Sequence, residues 1–436
     1  MKLLFSTMVG LFISLNAFSQ IDSLLLDYEY FKLNNGLQVI LQPDKNAKNV
    51  SVEFWLKDGY RIDQPNQYGL SHFFEHVMPW EKLDSTTRAS YNSYRTGSNA
   101  QVKKDYSRYF LETRPEGLEI HLKIVSGRLS VGAKSITEKR VEFQRKRVLA
   151  EIKRNAKVPN WSAPGGMAIY SGVFGKDHPY GSSGYGYVKN NQDFTLQEFH
   201  KRYNEIVYAN NTILFLVGNF DPNEAKKMIS NYFADIPSTE TKKMNVPRSK
   251  HSKKSLTMKA PYPKDTLNTM ILSWNIPKWG TKEEGTLRLV TRILDHRLKK
   301  NDRLSSISLK SSVYSDFFQY GGILSAKVQF IEAKDSTEIV SITNKEVQKL
   351  SEYLISNQEL YKTKQGEVKD IIDMQKYLGF QWSRTELLGE GLLFKSDPVF
   401  YFKRLKKQMN TNEKSIKRTA NKWLNKKPFQ ILFLAN

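Results

Sequence analysis

Four apolar residues, Ile213-Leu214-Phe215-Leu216, recur near the other end of the chain as Ile431-Leu432-Phe433-Leu434, each after a helical segment whose end carries an aromatic residue and an asparagine. Such a run reads as a strand buried on both faces. Two of them at matching places in two halves read as one supersecondary plan used twice. The elements between them agree. Residues 28–43 read as a strand pair around the turn sequence Asn34-Asn35-Gly36, and 50–57 as a further alternating strand. Residues 68–77 read as a short helix that Pro79 ends, 106–112 as a strand, and 115–129 and 138–157 as helices. The glycine, serine and tyrosine of 165–187 mark a long loop. A helix over 194–204 and a strand over 211–217 close the first half, and the basic polar stretch 238–254 reads as a linker. Beyond it come a strand over 269–274, a helix over 283–300 and a hairpin over 313–330 turning at Gly321-Gly322. The expectation is an α+β chain of two related sandwich-type domains, 20–237 and 255–436, each a mainly antiparallel sheet packed with helices.

The first residues have another character. Lys2 leads an apolar stretch to about Leu15, followed by Ala17-Phe18-Ser19, the order of a secretory signal peptide over 1–19. The stretch is short for a membrane span, and no later segment offers the ~20 continuous apolar residues that one needs. The chain is therefore expected to be exported, and a bacterial periplasm fits. Export permits disulfides, yet the sequence contains no cysteine, so stability must come from packing and from any bound metal. A formal charge of +23 raises nucleic acid or acidic lipid as partners. The cations are spread along helical stretches such as 139–147 and 403–407 with no nucleic-acid motif beside them, so nucleic acid is not an expected partner.

The chemistry centres on His72-Phe73-Phe74-Glu75-His76. Histidines four apart on a helix share a face, so both imidazoles can reach a single ion. Glu75 lies close by without needing to be a ligand, and can activate zinc-bound water by taking its proton and later giving a proton to the leaving amine. This is the zincin arrangement with His and Glu in inverted order. A catalytic zinc generally takes three protein ligands. Glu151, among Val148, Leu149 and Ile152, is a candidate for the third, and pairing with a nearby cation is its other reading.

At this point the chain resembles the pitrilysin and insulinase family of inverzincins, in particular the half-size branch related to mitochondrial processing peptidase. Asn35-Gly36-Leu37-Gln38-Val39 looks like the family's opening strand, and Gly97-Ser98-Asn99-Ala100 like its Asn-Ala edge strand. His178-Pro179-Tyr180-Gly181 and Val217-Gly218-Asn219-Phe220 resemble later landmarks. The resemblance implies one zinc ion per chain, with Glu151 of Val148-Leu149-Ala150-Glu151 as third ligand, and Asn99 and Ala100 on a strand that pairs with an extended peptide. It also implies half of an enclosing chamber, hence a dimer. Departures accompany it. Gln144 stands where a second glutamate is common, and Val77-Met78-Pro79-Trp80 lacks the usual ending of the motif. Tyr314 in Ser311-Ser312-Val313-Tyr314 matches a substrate-holding tyrosine, but its companion arginine falls on Ile307, with Arg303 and Lys310 nearby.

The resulting expectation is a zinc-dependent endopeptidase subunit that hydrolyses peptides or unfolded segments inside a dimeric chamber. A heterodimer whose partner supplies Arg and Tyr is favoured over a homodimer. The alternatives are a non-catalytic scaffold or peptide-binding subunit of the same family, and a basic surface protein of the envelope, which would bind membranes in a salt-sensitive way without metal.

Overall fold

The computed structural model describes residues 21–78, 84–155, 164–182, 184–240, 244–252, 254–260 and 266–436. The expected signal peptide and Pro79 lie outside them. The described strands are β1 (Glu29–Lys32), β2 (Gln38–Pro43), β3 (Val50–Leu56), β4 (Arg95–Val102), β5 (Ser107–Thr113), β6 (Thr212–Gly218), β7 (Ser255–Lys259), β8 (Asn268–Ile276), β9 (Lys310–Phe318), β10 (Gly321–Phe330) and β11 (Phe429–Leu434). They form two sheets, ordered β1-β2-β6-β3-β5-β4 and β7-β11-β8-β10-β9.

The repeated apolar runs occupy equivalent places. β6 lies parallel to β2 and antiparallel to β3, and β11 lies parallel to β7 and antiparallel to β8. Strand by strand, β2-β6-β3-β5-β4 corresponds to β7-β11-β8-β10-β9, with β1 as an addition to the first sheet. The fold is a two-domain α+β arrangement.

Each sheet is covered on both faces, which explains why β6 is buried along its whole length. One face of the first sheet carries Val39, Val52, Phe54 and Leu214 into a core shared with the helices Leu70–Val77, Leu118–Ser130 and Leu196–Ile206. The opposite face, with Ile40, Trp55 and Phe215, packs on Leu388, Tyr401 and Leu405 from the C-terminal end of the chain. The second sheet has its own core through Leu272, Leu294 and Leu324. Its other face, with Ile271, Ile431 and Phe433, packs on Ile169, Val173 and Phe174. The two halves therefore exchange helices.

That exchange corrects one expectation. Residues 165–187 are not all loop, because Pro164–Phe174 is a helix. Its Gly172 reflects close packing: a Cβ there would stand 2.4 Å from the Phe429 ring. A helix of so many small residues owes its stability to that tertiary contact rather than to propensity.

Candidate metal and peptidase site

The Leu70–Val77 helix is amphipathic in an unusual sense, since both faces are packed. Phe73 and Phe74 turn into the core, with the Phe73 ring 4.8 Å from Phe199 and Phe74 6.5 Å from Tyr203. The same helix presents His72 and His76 on its other side, ring centroids 4.9 Å apart.

Two clamps fix this helix. At its start, the Asp63 carboxylate accepts from the backbone N–H of Gly69 (3.1 Å) and of Ser71 (3.2 Å), satisfying donors that a helix N-terminus leaves unpaired. Arg202 neutralises Asp63 at 2.7 Å, both side chains being almost wholly buried. At its end, Arg140 donates to the carbonyls of His76 (3.3 Å), Val77 (3.0 Å) and Met78 (2.9 Å). Arg140 belongs to the Glu138–Arg154 helix, which also carries Glu151. One guanidinium thus ties together the two helices that bear the His and Glu donors.

Glu151 faces the histidines. Its Oε2 is 3.4 Å from His76 Nε2 and its Oε1 is 3.9 Å from His72 Nε2. Ligand atoms from all three residues lie within 4.8 Å of one another, and they are the metal-capable cluster found among the described residues. Atoms at 2.0–2.2 Å from a tetrahedral zinc are about 3.4 Å apart, so His76 and Glu151 already stand at that spacing and the remaining pairs, within 4.8 Å, would draw in to close on one. Protonation also fits. Burial, aided by the neighbouring His76, holds His72 down at about 3, so its ring is neutral. The hydrogen bond to His76 outweighs burial and holds Glu151 down at about 2, so its carboxylate is ionised. For His76 burial is opposed by the hydrogen bond it gives to Glu151 and by Glu75, and the balance raises it. The donors His72 and Glu151 are already in ligating form at neutral pH.

Glu75 shares with His72 and Glu151 a cavity of about 300 Å³. Burial pushes its carboxyl up to about 7, against the lowering effect of His76. A carboxylate with that value can both take and return a proton near neutrality.

The cavity is walled on one side by Asn99 and Ala100 of β4. Among the described strands β4 is an edge strand, paired only with β5. The Ala100 N–H donates to the Asn99 side chain at 2.9 Å. Phe380 and Gln381, from the second half of the sequence, form another wall. Phe380 and Trp382 have positive φ values of 68° and 50°, a backbone strain held by the buried Glu53, which accepts from Phe380 N–H at 2.8 Å, and by Arg108, which donates to the Phe380 carbonyl at 2.9 Å.

Tyr314 is placed elsewhere. It lies on β9 and lines a neighbouring cavity of about 670 Å³, which touches the first through Gln101 and Val102 of β4. Ile307 packs against the second core, and Arg303 is engaged with Glu338 at 2.6 Å. The structure therefore brings together His72, Glu75, His76, Glu151, Asn99 and Ala100 and leaves Tyr314 apart. Reading the sequence missed Asp63, Arg140, Arg202, Tyr185 and Phe380. None carries a local signature: Asp63 binds donors six and eight residues on, and the other four meet their partners across more than 30 residues of chain.

Comparison with known proteins gives a consistent result. The family model described as insulinase (peptidase family M16) matches residues 38–164, and that described as the peptidase M16 inactive domain matches residues 193–367. A zinc protease of Helicobacter pylori, PqqE, is 25% identical over 388 residues, covering 83% of each chain. An uncharacterised zinc protease of Bacillus subtilis, YmfH, is 25% identical over 316 residues, covering 67% of this chain and 68% of its own. Among solved structures, a protease from Helicobacter pylori superposes with a TM-score of 0.80 at 18% identity, covering 94% of this chain and 100% of that one. The first half of the periplasmic protease PqqL from Escherichia coli superposes with a TM-score of 0.73 at 15% identity, covering 94% and 92%, whereas the chain covers 48% of intact PqqL.

Proposed function

Because the chain belongs to the insulinase family of peptidases, family M16, we propose that it is a half-size subunit of a zinc-dependent endopeptidase. His72, His76 and Glu151 would hold the ion, and Glu75 would act as general base. The observation that carries this reading is the clustering of His72, His76 and the ionised Glu151 within 4.8 Å of one another, beside a cavity that His72 and Glu151 share with Glu75, whose carboxyl is pushed up to about 7. Zinc, when bound, would polarise the scissile carbonyl. Glu75 takes a proton from the attacking water and delivers it to the departing amine. The edge strand β4 pairs with an extended substrate, whose backbone hydrogen bonds replace the internal one from Ala100 to Asn99. Asp63 and Arg140 keep the helix of Glu75 fixed while this occurs.

The chain covers about half of intact PqqL, which supports a chamber completed by a second subunit. With Ile307 at the arginine position and Tyr314 outside the cavity, the missing substrate-holding groups would come from that partner, so a heterodimer is favoured. The proposed division into 20–237 and 255–436, joined by 238–254, is supported by the membership of the strands in the two sheets. Export to a periplasm rests on residues 1–19. Among the described residues no helix is long and apolar enough to cross a membrane. A second reading, a non-catalytic peptide-binding subunit, draws on the same absence of arginine.

The test is zinc content and cleavage of a quenched unstructured peptide by the mature protein beside Glu75→Gln. Zinc in both proteins with cleavage by wild type alone establishes the reading. Zinc without cleavage by either favours the binding subunit or a required partner, and no zinc in wild type sinks the proposal.

A further inference from the structure

Tyr185 was expected to lie in a featureless loop, yet its hydroxyl reaches the metal cluster. Tyr185 O–H donates to Glu151 Oε1 at 3.1 Å, and the Asn155 side-chain amide donates to the same phenolic oxygen at 3.1 Å. The ring stands edge-on to His72, centroids 4.6 Å apart at 78°. Neither partner is incidental to the site. Asn155 ends the helix that bears Glu151, and Tyr185 lines the cavity that holds Glu75.

Resting on the zinc-peptidase reading, we infer that Tyr185 is a positioning residue for Glu151, and that Asn155 aims its hydroxyl. A glutamate's terminal torsion is broad and roughly two-fold, so the carboxylate alone does not choose which oxygen meets the histidines. With Oε1 engaged by Tyr185, Oε2 is the atom turned to His76 at 3.4 Å. Because Asn155 donates, the phenol cannot point its hydrogen there and must give it to Glu151. A hydrogen bond of this kind to a ligand's remaining oxygen typically changes metal affinity by 10–100-fold.

The backbone around Tyr185 is built to hold it. Asn191, fully buried, donates to the Tyr185 carbonyl at 2.9 Å. Gly69, at φ +100°, caps the His-bearing helix, and a Cβ there would stand 2.5 Å from that same carbonyl. Gly186, at φ +62°, meets the Tyr68 carbonyl so closely that a Cβ would lie 1.8 Å from it. Two glycines in the left-handed region thus let this segment lie directly on the N-terminus of the metal-motif helix. Gln144, the other polar side chain of the Glu151 helix buried near the site, offers no charge.

The test compares wild type, Tyr185→Phe, Asn155→Ala and the double variant, each as mature protein. Zinc affinity is measured by competition with a chromophoric chelator, the visible spectrum is recorded with cobalt in place of zinc, and folding is checked by urea unfolding without metal. Tyr185→Phe is expected to weaken zinc binding about 10–100-fold and to shift the cobalt bands, with kcat falling more than KM changes. Asn155→Ala should weaken binding less, and the double variant no more than Tyr185→Phe alone. Wild type that takes up zinc beside a Tyr185→Phe that binds it within twofold as tightly overturns the inference alone, as does simple additivity in the double variant. Failure of wild type to take up zinc overturns the zinc-peptidase reading and the inference with it. Should Tyr185→Phe prove unstable, Asn155→Ala decides through the same affinity measurement.

Discussion

Replacing Arg140 by methionine keeps the apolar stem and removes the guanidinium that joins the two donor-bearing helices. Three carbonyls, of His76, Val77 and Met78, lose a charged donor at 3.3, 3.0 and 2.9 Å. Among the described residues no carboxylate pairs with Arg140, and burial moves it below the usual guanidinium range, so its charge serves the helix end. Hydrogen bonds to charged groups contribute ~1.5–3 kcal/mol each when well made. Half-buried and partly replaceable by water, the two shorter bonds here are taken together at the low end, with ~0.3–1 kcal/mol from the helix dipole. The expected loss of stability is ~2 kcal/mol. Zinc affinity should fall as well, by about tenfold or more, because the freed helix end carries His76. Urea unfolding in chelator gives the first quantity, and competition with a chromophoric chelator the second. Arg303→Met, which breaks an exposed pair with Glu338 that lines neither cavity, serves as control, with no expected change in zinc affinity. A stability loss for Arg140→Met with unchanged zinc affinity would refute the idea that this residue couples the helices.

Three further outcomes are expected. Asp63→Ala leaves the buried Arg202 with the more exposed Glu205 carboxylate, 3.7 Å away, in place of its buried partner and the helix N-terminus uncapped, a loss of ~3 kcal/mol by chemical denaturation; a loss under ~1 kcal/mol would mean that Glu205 or water takes over the charge. His121 is fully buried, and burial holds it down at about 4 against an ordinary 6.5. Above pH ~6.5 it is neutral in both states, and as pH falls toward 4 only the unfolded chain takes the proton, so between pH 7 and 5 stability should drop ~2 kcal/mol more in wild type than in His121→Gln, both without metal. Equal slopes would count against this assignment. Gly172→Leu forces a side chain into the Phe429 ring and should cost ~1–3 kcal/mol or more, while a neutral result would show that the helix 164–174 can slide on the second sheet.

Much of the architecture was legible because it rests on local pattern. The buried run of β6 and its copy in β11 announced the duplication, and Asn34-Asn35-Gly36 announced the first turn. The helix 164–174 was not legible, since its Gly172 is explained by Phe429, more than 250 residues away in sequence. Sequence reading also could not see that Tyr314, in a matching local context, faces a different cavity from Glu75.

The sequence by itself determined the donors. Spacing on one helix puts His72 and His76 on a shared face, and residue type gives Glu75 its place beside them. Only the tertiary structure decided that Glu151 closes on those histidines, that Arg140 and Asp63 hold their helix at both ends, and that Tyr185 engages the remaining carboxylate oxygen. Helical periodicity acts over four residues and is written in the order of the chain. Convergence of side chains from distant segments depends on how sheets and helices pack, and that is settled when the two halves bury each other's faces.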